Sequence, residues 1–398
     1  MTKIILKKGR DESLRRFHPW VFSGAIAQIN GSPAEGDLVS VYSADGGFLA
    51  CGHYQIGSIA VRVLSFELET LPENFWEVML GNALEERRTM RLAEGNADTN
   101  CYRLVHGEGD GLPGLVVDYY DGVCVMQAHS VGMFRAKKQI CSALRKIYGD
   151  NLKAVYDKSS GTAPFKAGLD LVDGYLYRRE GFADEQQMVL ENGHKFIVNW
   201  TEGQKTGFFL DQRENRASVG KYAVGKRVLN LFCYTGGFSI YALKAGAVSV
   251  DSVDSSSKAM SLVDRNVQLN GFDASCHTSH CKDAIEFLKN APEDRYDLII
   301  VDPPAFAKHR GVLGNALRAY QRLNAAAISK VAPGGLVFTF SCSQVVDKEA
   351  FALAVFSAAA QTGRTVRILD RFNQPADHPV SIYHPEGEYL KGLLLYVE

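Results

Sequence analysis

The chain has 398 residues, of which 46% are hydrophobic and 22% charged, a mix typical of two or three folded domains rather than of a disordered or fibrous chain. Its 44 Lys and Arg residues nearly balance 45 Asp and Glu residues, so nucleic-acid binding through bulk charge is excluded and only local basic patches could serve it. The sequence has no long apolar run and no signal-like start, and its eight cysteines include no CxxC pair. These features predict a cytoplasmic protein with reduced thiols and no membrane partner.

The first 72 residues have the pattern of short strands. Three segments are rich in β-forming residues and are separated by Gly, Asp and Ser: Val39–Tyr42, Phe48–Gly52 and Ile59–Leu64. The sequence Asp45-Gly-Gly47 is a favourable turn between the first two. We therefore expect residues 1–72 to form a small β-barrel with one short helix.

Residues 73–185 mix helix and strand patterns. In chain order they give a helix from about Phe75 to Leu92, strands at Leu115–Tyr119 and Val123–Gln127, a helix near Ala136–Tyr148 and a strand at Ala154–Tyr156. This order predicts a small α+β domain.

Residues 186–398 alternate between strands and helices. Strand patterns occur at Val228–Phe232, Val248–Val253, Tyr296–Asp302 and Gly335–Ser341, and helices at Phe238–Lys244 and Lys258–Asn270. Such alternation favours an α/β fold with a doubly wound parallel sheet.

The first strand-to-helix turn of this region is a candidate cofactor site. The segment Asn230–Phe238 ends a strand, where parallel sheets bind ligands, but it has neither a GxGxxG pattern nor the Lys-Ser/Thr of a phosphate loop. Asp254 and Asp283 follow the next two strands and could accept hydrogen bonds from a ribose and an adenine edge. The pattern favours a nucleoside without phosphates, S-adenosylmethionine. The alternative is an ordinary glycine turn followed by two helix-capping aspartates.

The fourth strand of the region ends in Asp302-Pro-Pro-Ala-Phe306. The two prolines remove amide donors and hold the loop extended, so carbonyls and a carboxylate can face the exocyclic amine of a base. Phe306 is available for stacking on that base. A strand simply stopped by proline would explain the prolines but not the acid at the same point.

Cys342 follows the next strand, in Thr339-Phe-Ser-Cys-Ser343. A thiolate there could attack C6 of a pyrimidine and make C5 nucleophilic enough to accept a methyl group. The other seven cysteines, including Cys233, are expected to be inert core residues. The segment Cys276–Cys281 offers two cysteines and two histidines, but neighbouring residues on a strand point to opposite faces, so we predict no metal site.

Two basic patches could contact RNA. The first lies between Ala305 and Gly335, contains no acid and consists of Lys308, Arg310, Arg318, Arg322 and Lys330. The second surrounds Arg16 near the amino terminus and is interleaved with Phe17, His18 and Trp20. Phosphate binding and base stacking would explain both patches, and so would ordinary solvated surfaces.

With these residues assembled, the sequence closely resembles the bacterial large-subunit ribosomal RNA cytosine-C5 methyltransferases that carry an amino-terminal PUA domain. The resemblance spans essentially the whole chain, and its further marks are Arg16–Gly24, Gly107–Gly114, Lys205–Arg213 and Ala376–Pro379. It implies an RNA-binding PUA barrel at 1–72, an α+β domain at 73–185 that helps to form the substrate cleft, and a class I methyltransferase domain at 186–398.

The resemblance also implies roles for individual residues. It places the nucleophile at Cys342, and the position of Asp302 in its loop predicts that this carboxylate holds the target base. The implied cofactor-binding positions are Phe209, Asp211, Gln212, Arg213, Asn230, Phe232, Tyr234, Thr235, Gly236, Asp254, Asp283 and Asp302. The implied substrate-binding positions are Pro303, Pro304, Phe306, Lys308, Arg310, Arg16 and Trp20.

The implied reaction is methylation of C5 of a cytidine in 23S ribosomal RNA, free or within the large ribosomal subunit, and a second copy of the chain is a candidate partner. Amino methylation of adenine or guanine is an alternative, because Asp302–Phe306 also resembles the loops of those enzymes. A non-catalytic RNA-binding or ribosome-assembly protein is another. Ala305 stands where the family usually has Lys, and the loop lacks the second cysteine of many RNA cytosine-C5 methyltransferases, which leaves the base that removes the C5 proton unassigned.

Overall fold

A computed structural model describes residues 2–93, 95–164, 168–307 and 309–398. The chain divides into two compact units, each made of several segments. The amino-terminal unit comprises Met1–Val189, Val198–Leu210 and Ala376–Gly387, and the carboxy-terminal unit comprises Leu190–Ile197, Asp211–Pro375 and Glu388–Glu398. The predicted boundaries at 72/73 and 185/186 stay a prediction.

The amino-terminal unit begins with a six-stranded sheet. Its strands are β1 (Thr2–Leu6), β2 (Trp20–Phe22), β3 (Ile26–Asn30), β4 (Leu38–Tyr42), β5 (Phe48–Tyr54) and β6 (Ile59–Ser65), with the short helix α1 (Glu12–Arg15) between β1 and β2. The strand order is β2-β6-β5-β4-β1-β3, and β1 and β4 are parallel while the other pairs are antiparallel. Alternate residues of the strands, such as Ile4, Leu6, Val39 and Val41, form its buried core. The three strands predicted here are confirmed.

A five-stranded sheet follows in the same unit. Its elements are α2 (Phe75–Thr89), β7 (Cys101–His106), β8 (Leu115–Tyr120), β9 (Val123–Ala128), α3 (Val131–Arg135), α4 (Lys137–Tyr148), β10 (Ala154–Asp157) and β11 (Gly174–Arg178), in the strand order β11-β10-β9-β8-β7. Helix α2 ends at Thr89 rather than near Leu92, since Arg91 adopts a left-handed φ of 58° that a helix cannot continue through. The strand β11 and the helix α3 were not predicted.

The segment Ala376–Gly387 is tied to this five-stranded part by hydrogen bonds to the buried Arg87 and to the backbone of the half-buried Arg103. Arg87 Nη2 donates to the carbonyl oxygen of Asp377 at 2.9 Å and to Asp110 Oδ2 at 2.8 Å. The backbone N–H of Arg103 donates to Asp377 Oδ2 at 3.0 Å. A short stretch close to the end of the chain thus belongs to the amino-terminal unit.

The carboxy-terminal unit is built on a seven-stranded sheet, preceded in the chain by a two-stranded sheet of β12 (Gln186–Glu191) and β13 (His194–Asn199). Its elements in chain order are α5 (Arg213–Tyr222), β14 (Arg227–Leu231), α6 (Gly237–Ala245), β15 (Ser249–Asp254), α7 (Ser257–Leu269), β16 (His277–Cys281), α8 (Ala284–Asn290), β17 (Tyr296–Val301), α9 (Leu313–Lys330), β18 (Val331–Ser341), α10 (Lys348–Thr362), β19 (Val366–Asn373) and β20 (Lys391–Val397).

The seven strands have the order β16-β15-β14-β17-β18-β20-β19. The first five are parallel, and β20 is antiparallel to both of its neighbours. The central strands read as continuous apolar runs because both faces are buried, as for Leu298, Ile299, Ile300 and Val301. The predicted α/β alternation and its mostly parallel sheet are confirmed. Within the described ranges, no helix is both long and apolar enough to cross a membrane.

Candidate active site

Four parallel neighbours, β15, β14, β17 and β18, bring their carboxyl ends to one edge of the sheet. Their registers pair the last residues of each strand with those of the next. Phe232, Asp254, Asp302 and Cys342 therefore lie at or just beyond strand ends on the same edge. Ligands of open α/β sheets bind outside this edge. The structure thus brings together the central residues that the sequence predicted.

The loop after β14 has an unusual backbone. Phe232, Tyr234 and Gly236 have positive φ angles of 58°, 47° and 81°. Each non-glycine residue in this conformation costs about 1 kcal/mol or more, so surrounding contacts must hold it in place. The Tyr234 N–H donates to Asp254 Oδ2 at 3.0 Å, and the N–H of Ser256 donates to Asp254 Oδ1 at 2.9 Å. The carboxylate of Asp254 therefore anchors the strained loop to the end of β15.

The two glycines of this loop are also required by packing. A Cβ on Gly236 would lie 3.1 Å from Val263 Cγ1, and one on Gly237 would lie 2.9 Å from Arg216 Cδ. The left-handed φ of Gly236 further disfavours any side chain there. The close packing of α6 against its neighbours is therefore enough to explain the two glycines. The close approach of a cofactor, which the sequence suggested, would be a second reason.

Arg216 is held beneath the start of α6 by a buried ion pair. Its Nε donates to Glu191 Oε1 at 2.8 Å and its Nη2 to Glu191 Oε2 at 2.7 Å, while the hydroxyl of Tyr241 donates to Glu191 Oε1 at 3.0 Å. Burial alone would lower the pKa of Arg216, but the charge and hydrogen bonds of Glu191 outweigh it, and the pKa is raised. The pair links β12, α5 and α6.

Replacement of Glu191 by alanine is expected to lower the free energy of unfolding by about 3–5 kcal/mol, because it leaves the guanidinium of Arg216 buried without its counter-charge. Urea unfolding followed by circular dichroism measures the loss. Glu12→Ala is a matched control, since Glu12 and its partner Arg16 are both exposed and its removal should change stability by about 0.5 kcal/mol or less. Equal stabilities of the two variants would show that the pair contributes little.

Asn230 lies inside the sheet rather than at its edge. Its Nδ2 donates to Ser239 Oγ at 2.8 Å, and Ser239 Oγ is in turn 2.7 Å from Ser252 Oγ. Thr235 is also buried, and its carbonyl oxygen accepts from Asn266 Nδ2 at 2.9 Å. These contacts hold the loop and the adjoining helices together. Roles for both residues in cofactor binding stay predictions.

The segment Asp211–Arg213, which leads into α5, consists of three further predicted cofactor residues, and all three are buried. Asp211 Oδ2 accepts from the hydroxyl of Tyr389 at 2.7 Å. Gln212 Oε1 accepts from Asn215 Nδ2 at 2.6 Å, and Arg213 is the first residue of α5. Phe209 belongs to the amino-terminal unit, where Lys205 Nζ lies 4.6 Å from the centroid of its ring.

Asp283 caps the amino terminus of α8. Its Oδ1 accepts from the N–H of Glu286 at 2.8 Å, so the structure shows the capping role that the sequence left as the alternative for this residue. A cavity of about 480 Å³ lies along α8 and is lined by Lys282, Asp283 and Phe287, among others. Its described lining includes neither the loop after β14 nor Asp302 and Cys342.

The loop after β17 and the turn after β18 are joined by a polar network. The hydroxyl of Tyr320 accepts from Ser341 Oγ at 2.9 Å and lies 3.2 Å from Ser343 Oγ. The N–H of Ala307 donates to Ser343 Oγ at 3.3 Å. The ring of Phe306 packs against Tyr320 with centroids 4.8 Å apart. The network fixes the Asp302–Phe306 loop relative to Cys342.

Burial also affects the ionisation and the exposure of the residues around this network. Burial raises the pKa of Tyr320, and its hydroxyl, which is protonated at neutral pH as in any tyrosine, can donate a hydrogen bond. Asp302 is half-buried, Pro303 is buried, and Pro304 is exposed. The half-buried Cys342 is placed between the interior and the edge of the sheet, where a thiol can meet a ligand.

Lys391 supports the turn after Cys342 from the neighbouring strand β20. Its Nζ donates to the carbonyl oxygen of Ser343 at 2.6 Å and also to that of Val346. Burial lowers the pKa of this lysine to about 8. Neither Lys391 nor Tyr320 was predicted from the sequence. For Lys391 a signal was present, because a lysine stands at the start of an otherwise apolar strand.

The expectation that seven cysteines are inert core residues is wrong for two of them. Cys51, Cys101, Cys124, Cys141 and Cys233 are buried, but Cys276 is half-buried and Cys281 is exposed. Both lie at β16, which is an edge strand and is therefore incompletely covered. The histidines of the same segment have separate partners: His277 Nε2 lies 2.8 Å from Ser252 Oγ, and His280 Nε2 lies 3.2 Å from Asp251 Oδ1.

The predicted RNA-binding residues fall in different places. Arg16 is exposed and paired with Glu12, and Trp20 is half-buried, with its Nε1 donating to Glu108 Oε1 at 2.9 Å. Arg310 is exposed after the Asp302–Phe306 loop. Lys308 lies outside the described residues.

Comparison with known proteins identifies the family. Residues 103–394 match the family of S-adenosylmethionine-dependent methyltransferases, and residues 4–66 match the PUA-like domain. The chain belongs to the S-adenosylmethionine-dependent methyltransferases. Two similar proteins, both called ribosomal RNA large subunit methyltransferase I, come from Aeromonas hydrophila (40% identical, covering 99% of this chain and 99% of the relative) and Alteromonas mediterranea (41% identical, covering 100% and 99%).

Solved structures share the fold of this methyltransferase. An S-adenosylmethionine-dependent methyltransferase from Streptococcus mutans superposes with a TM-score of 0.83 at 24% identity, covering 100% of both chains. A methyltransferase complexed with S-adenosylhomocysteine does so with a TM-score of 0.85 at 24% identity, again over 100% of both chains. The predicted fold class and the cofactor, S-adenosylmethionine, are thereby confirmed.

The strand-end residues fit this cofactor. The carboxylate of Asp254 has about four lone-pair positions, and the two hydrogen bonds from Tyr234 and Ser256 leave acceptor capacity for the two hydroxyls of a ribose. Its half-buried position at the end of β15 lets it reach a ligand outside the sheet. Among the predicted cofactor residues, Asp254 and the loop Phe232–Gly236 are therefore the best placed to hold S-adenosylmethionine.

Proposed function

We propose that this methyltransferase transfers a methyl group to C5 of a cytidine in 23S ribosomal RNA, with Cys342 as its nucleophile. The proposal is carried by the parallel pairing of β17 and β18, after which Asp302 and Cys342 follow at neighbouring strand ends. The relatives called ribosomal RNA large subunit methyltransferase I support the substrate class. A ribosomal RNA substrate also supports the predicted cytoplasmic location.

Cys342 begins the reaction by forming a covalent bond from Sγ to C6 of the cytosine. The C5–C6 π electrons become available at C5, which then acts as a nucleophile. Bound S-adenosylmethionine would supply the methyl group that C5 accepts, and its sulfonium–methyl bond would break to leave S-adenosylhomocysteine. Loss of the C5 proton to a base returns its electron pair to the ring and expels Cys342 as a thiolate, which restores aromaticity.

Asp302 would position the cytosine base and stabilise the charge that develops in its ring during the reaction. The carboxylate would accept a hydrogen bond from the N4 amine, or hydrogen-bond N3 when that position is protonated. The network of Tyr320 and Ser343 holds this loop relative to Cys342. Because C6 is hidden in a base-paired helix, the target cytidine must be unpaired or flipped out to reach Cys342.

The PUA-like domain supports binding of structured RNA around the target. Arg16 is exposed and could contact a phosphate of the RNA. Its ion pair with Glu12 would then be broken. Arg310 could contribute a second phosphate contact beside the active-site loop. Both roles, together with that of Trp20, are part of this proposal.

The test is the identity of the methylated nucleoside. The full-length protein is incubated with radiolabelled S-adenosylmethionine and either 23S RNA transcribed in vitro or large subunits that lack the modification, and the digested nucleosides are separated. We expect label in 5-methylcytidine. Label in a methylated adenosine or guanosine would favour amino methylation, and no label on either substrate, with S-adenosylmethionine still bound, would contradict the proposed function.

A further inference from the structure

Lys391 is a buried cation whose environment needs an explanation. Only 5% of its surface is exposed, and transfer of an ammonium from water to such a site is costly unless it is paired. The hydrogen-bond acceptors that the structure gives for its Nζ are two backbone carbonyl oxygens, those of Ser343 and Val346. Neutral carbonyls compensate for burial less well than a carboxylate does.

The position of Lys391 ties it to Cys342. It opens β20, and its partner in the antiparallel register with β18 is Ser341, the residue before Cys342. The two carbonyls that it binds belong to the turn immediately after Cys342. The ammonium thus lies against the turn that follows the cysteine, while the backbone of Lys391 pairs with the residue before it.

The charged groups around Lys391 have opposing effects on its protonation. Negative charge on Cys342, Asp347 and Glu388 favours the ammonium, whereas the positive charge of Lys348 disfavours it. Lys348 is itself paired with Glu388 in a partly exposed ion pair, so the opposite charges of the two side chains partly cancel in their electrostatic effect on Lys391. Among these groups, Cys342 has the largest effect in favour of the charged lysine, and its sulfur carries a full charge only as a thiolate.

We propose that Lys391 is a positioning residue that fixes the turn carrying Cys342 and favours the thiolate form of that cysteine. The inference deepens the proposed function and rests on Cys342 being its nucleophile. Electrostatic coupling is reciprocal: if a thiolate at Cys342 stabilises the ammonium, the ammonium stabilises the thiolate to the same extent. The thiol proton passes to solvent, and Lys391 is mostly an ammonium below its pKa of about 8, so it acts there as a positive charge rather than as a base.

The test measures thiolate formation at Cys342 without any RNA. In a Cys276→Ser/Cys281→Ser background, the full-length protein reacts with iodoacetamide at a series of pH values, and the Cys342 peptide is quantified by mass spectrometry. In Lys391→Met the midpoint of the rate profile should move up by about one pH unit, which makes alkylation about 10-fold slower well below the midpoint. Lys391→Arg should keep most of the original midpoint, because it keeps the charge.

Lys348→Met is the matched control, since it removes a neighbouring lysine that is partly exposed and already paired. Its midpoint should stay within about 0.3 pH units of the parent. A lysine with only a structural role would lower the melting temperature of Lys391→Met and leave the midpoint unchanged, and that result would overturn the inference. Failure of the proposed function is a separate outcome, because it would appear in the nucleoside assay while the alkylation profiles remained as expected.

Discussion

Replacement of Cys342 by alanine is expected to reduce formation of 5-methylcytidine by about four orders of magnitude or more, since loss of a covalent nucleophile typically has effects of this size. Without the sulfur there is no bond to C6, and C5 of a neutral cytosine is too weak a nucleophile to accept the methyl group. The variant should fold normally, because Cys342 is half-buried in a turn whose neighbours make the structural hydrogen bonds. Single-turnover methylation of unmodified 23S RNA measures the loss.

Cys281→Ala is the matched control for this variant. Cys281 is exposed at the end of the edge strand β16, and its removal should leave the methylation rate within about two-fold of the parent, as for surface changes away from a site. Calorimetric titration with S-adenosylmethionine should give similar affinities for all three proteins. Activity retained in Cys342→Ala would contradict covalent catalysis and favour direct transfer to an exocyclic amine.

Replacement of Asp302 by asparagine is expected to lower kcat by about 100- to 1,000-fold, the range found when a single electrostatic contact to developing charge is removed. The amide has nearly the same shape, so the loop and its contacts to Tyr320 and Ser343 should survive. It lacks the negative charge that would stabilise a protonated cytosine ring. Steady-state methylation with saturating S-adenosylmethionine separates the change in kcat from any change in KM for RNA.

Asp297→Asn provides the comparison at the opposite end of the same strand. Asp297 pairs with Arg227, with its Oδ1 2.8 Å from Arg227 Nη2, in a partly exposed ion pair. Its replacement should cost less than about 1 kcal/mol of stability and leave kcat unchanged. Equal kcat values for Asp302→Asn and the parent would mean that the carboxylate does not contact the reacting base.

The sequence was sufficient for the strands β14, β15, β17 and β18 and for the edge of the sheet that holds the site, but not for β19 and β20. Apolar runs such as Leu298–Val301 mark strands buried on both faces, and the alternation with helices makes a parallel sheet the simplest arrangement. Acids and a cysteine at the ends of such strands must then meet at one edge. Asp254, Asp302 and Cys342 could be placed together on this basis alone.

The supporting contacts could not be found in the same way. Lys391 meets the turn after Cys342 only because β20 returns antiparallel to β18, and that register joins residues far apart in the chain. The positive φ angles of Phe232 and Tyr234 are imposed by tertiary contacts, since neither residue type favours them. The exposure of Cys281 follows from the edge position of β16, which strand patterns do not reveal.

The strand order has a consequence for synthesis on the ribosome. β20 follows every other strand of its sheet in the chain, yet it lies between β18 and β19 and pairs with both. The amino-terminal unit likewise includes Ala376–Gly387, which is translated shortly before β20. Neither unit can therefore complete its fold until these late segments have been synthesised. Before β20 is available, one edge of β18 stays unpaired, and an unpaired strand edge is a site of aggregation.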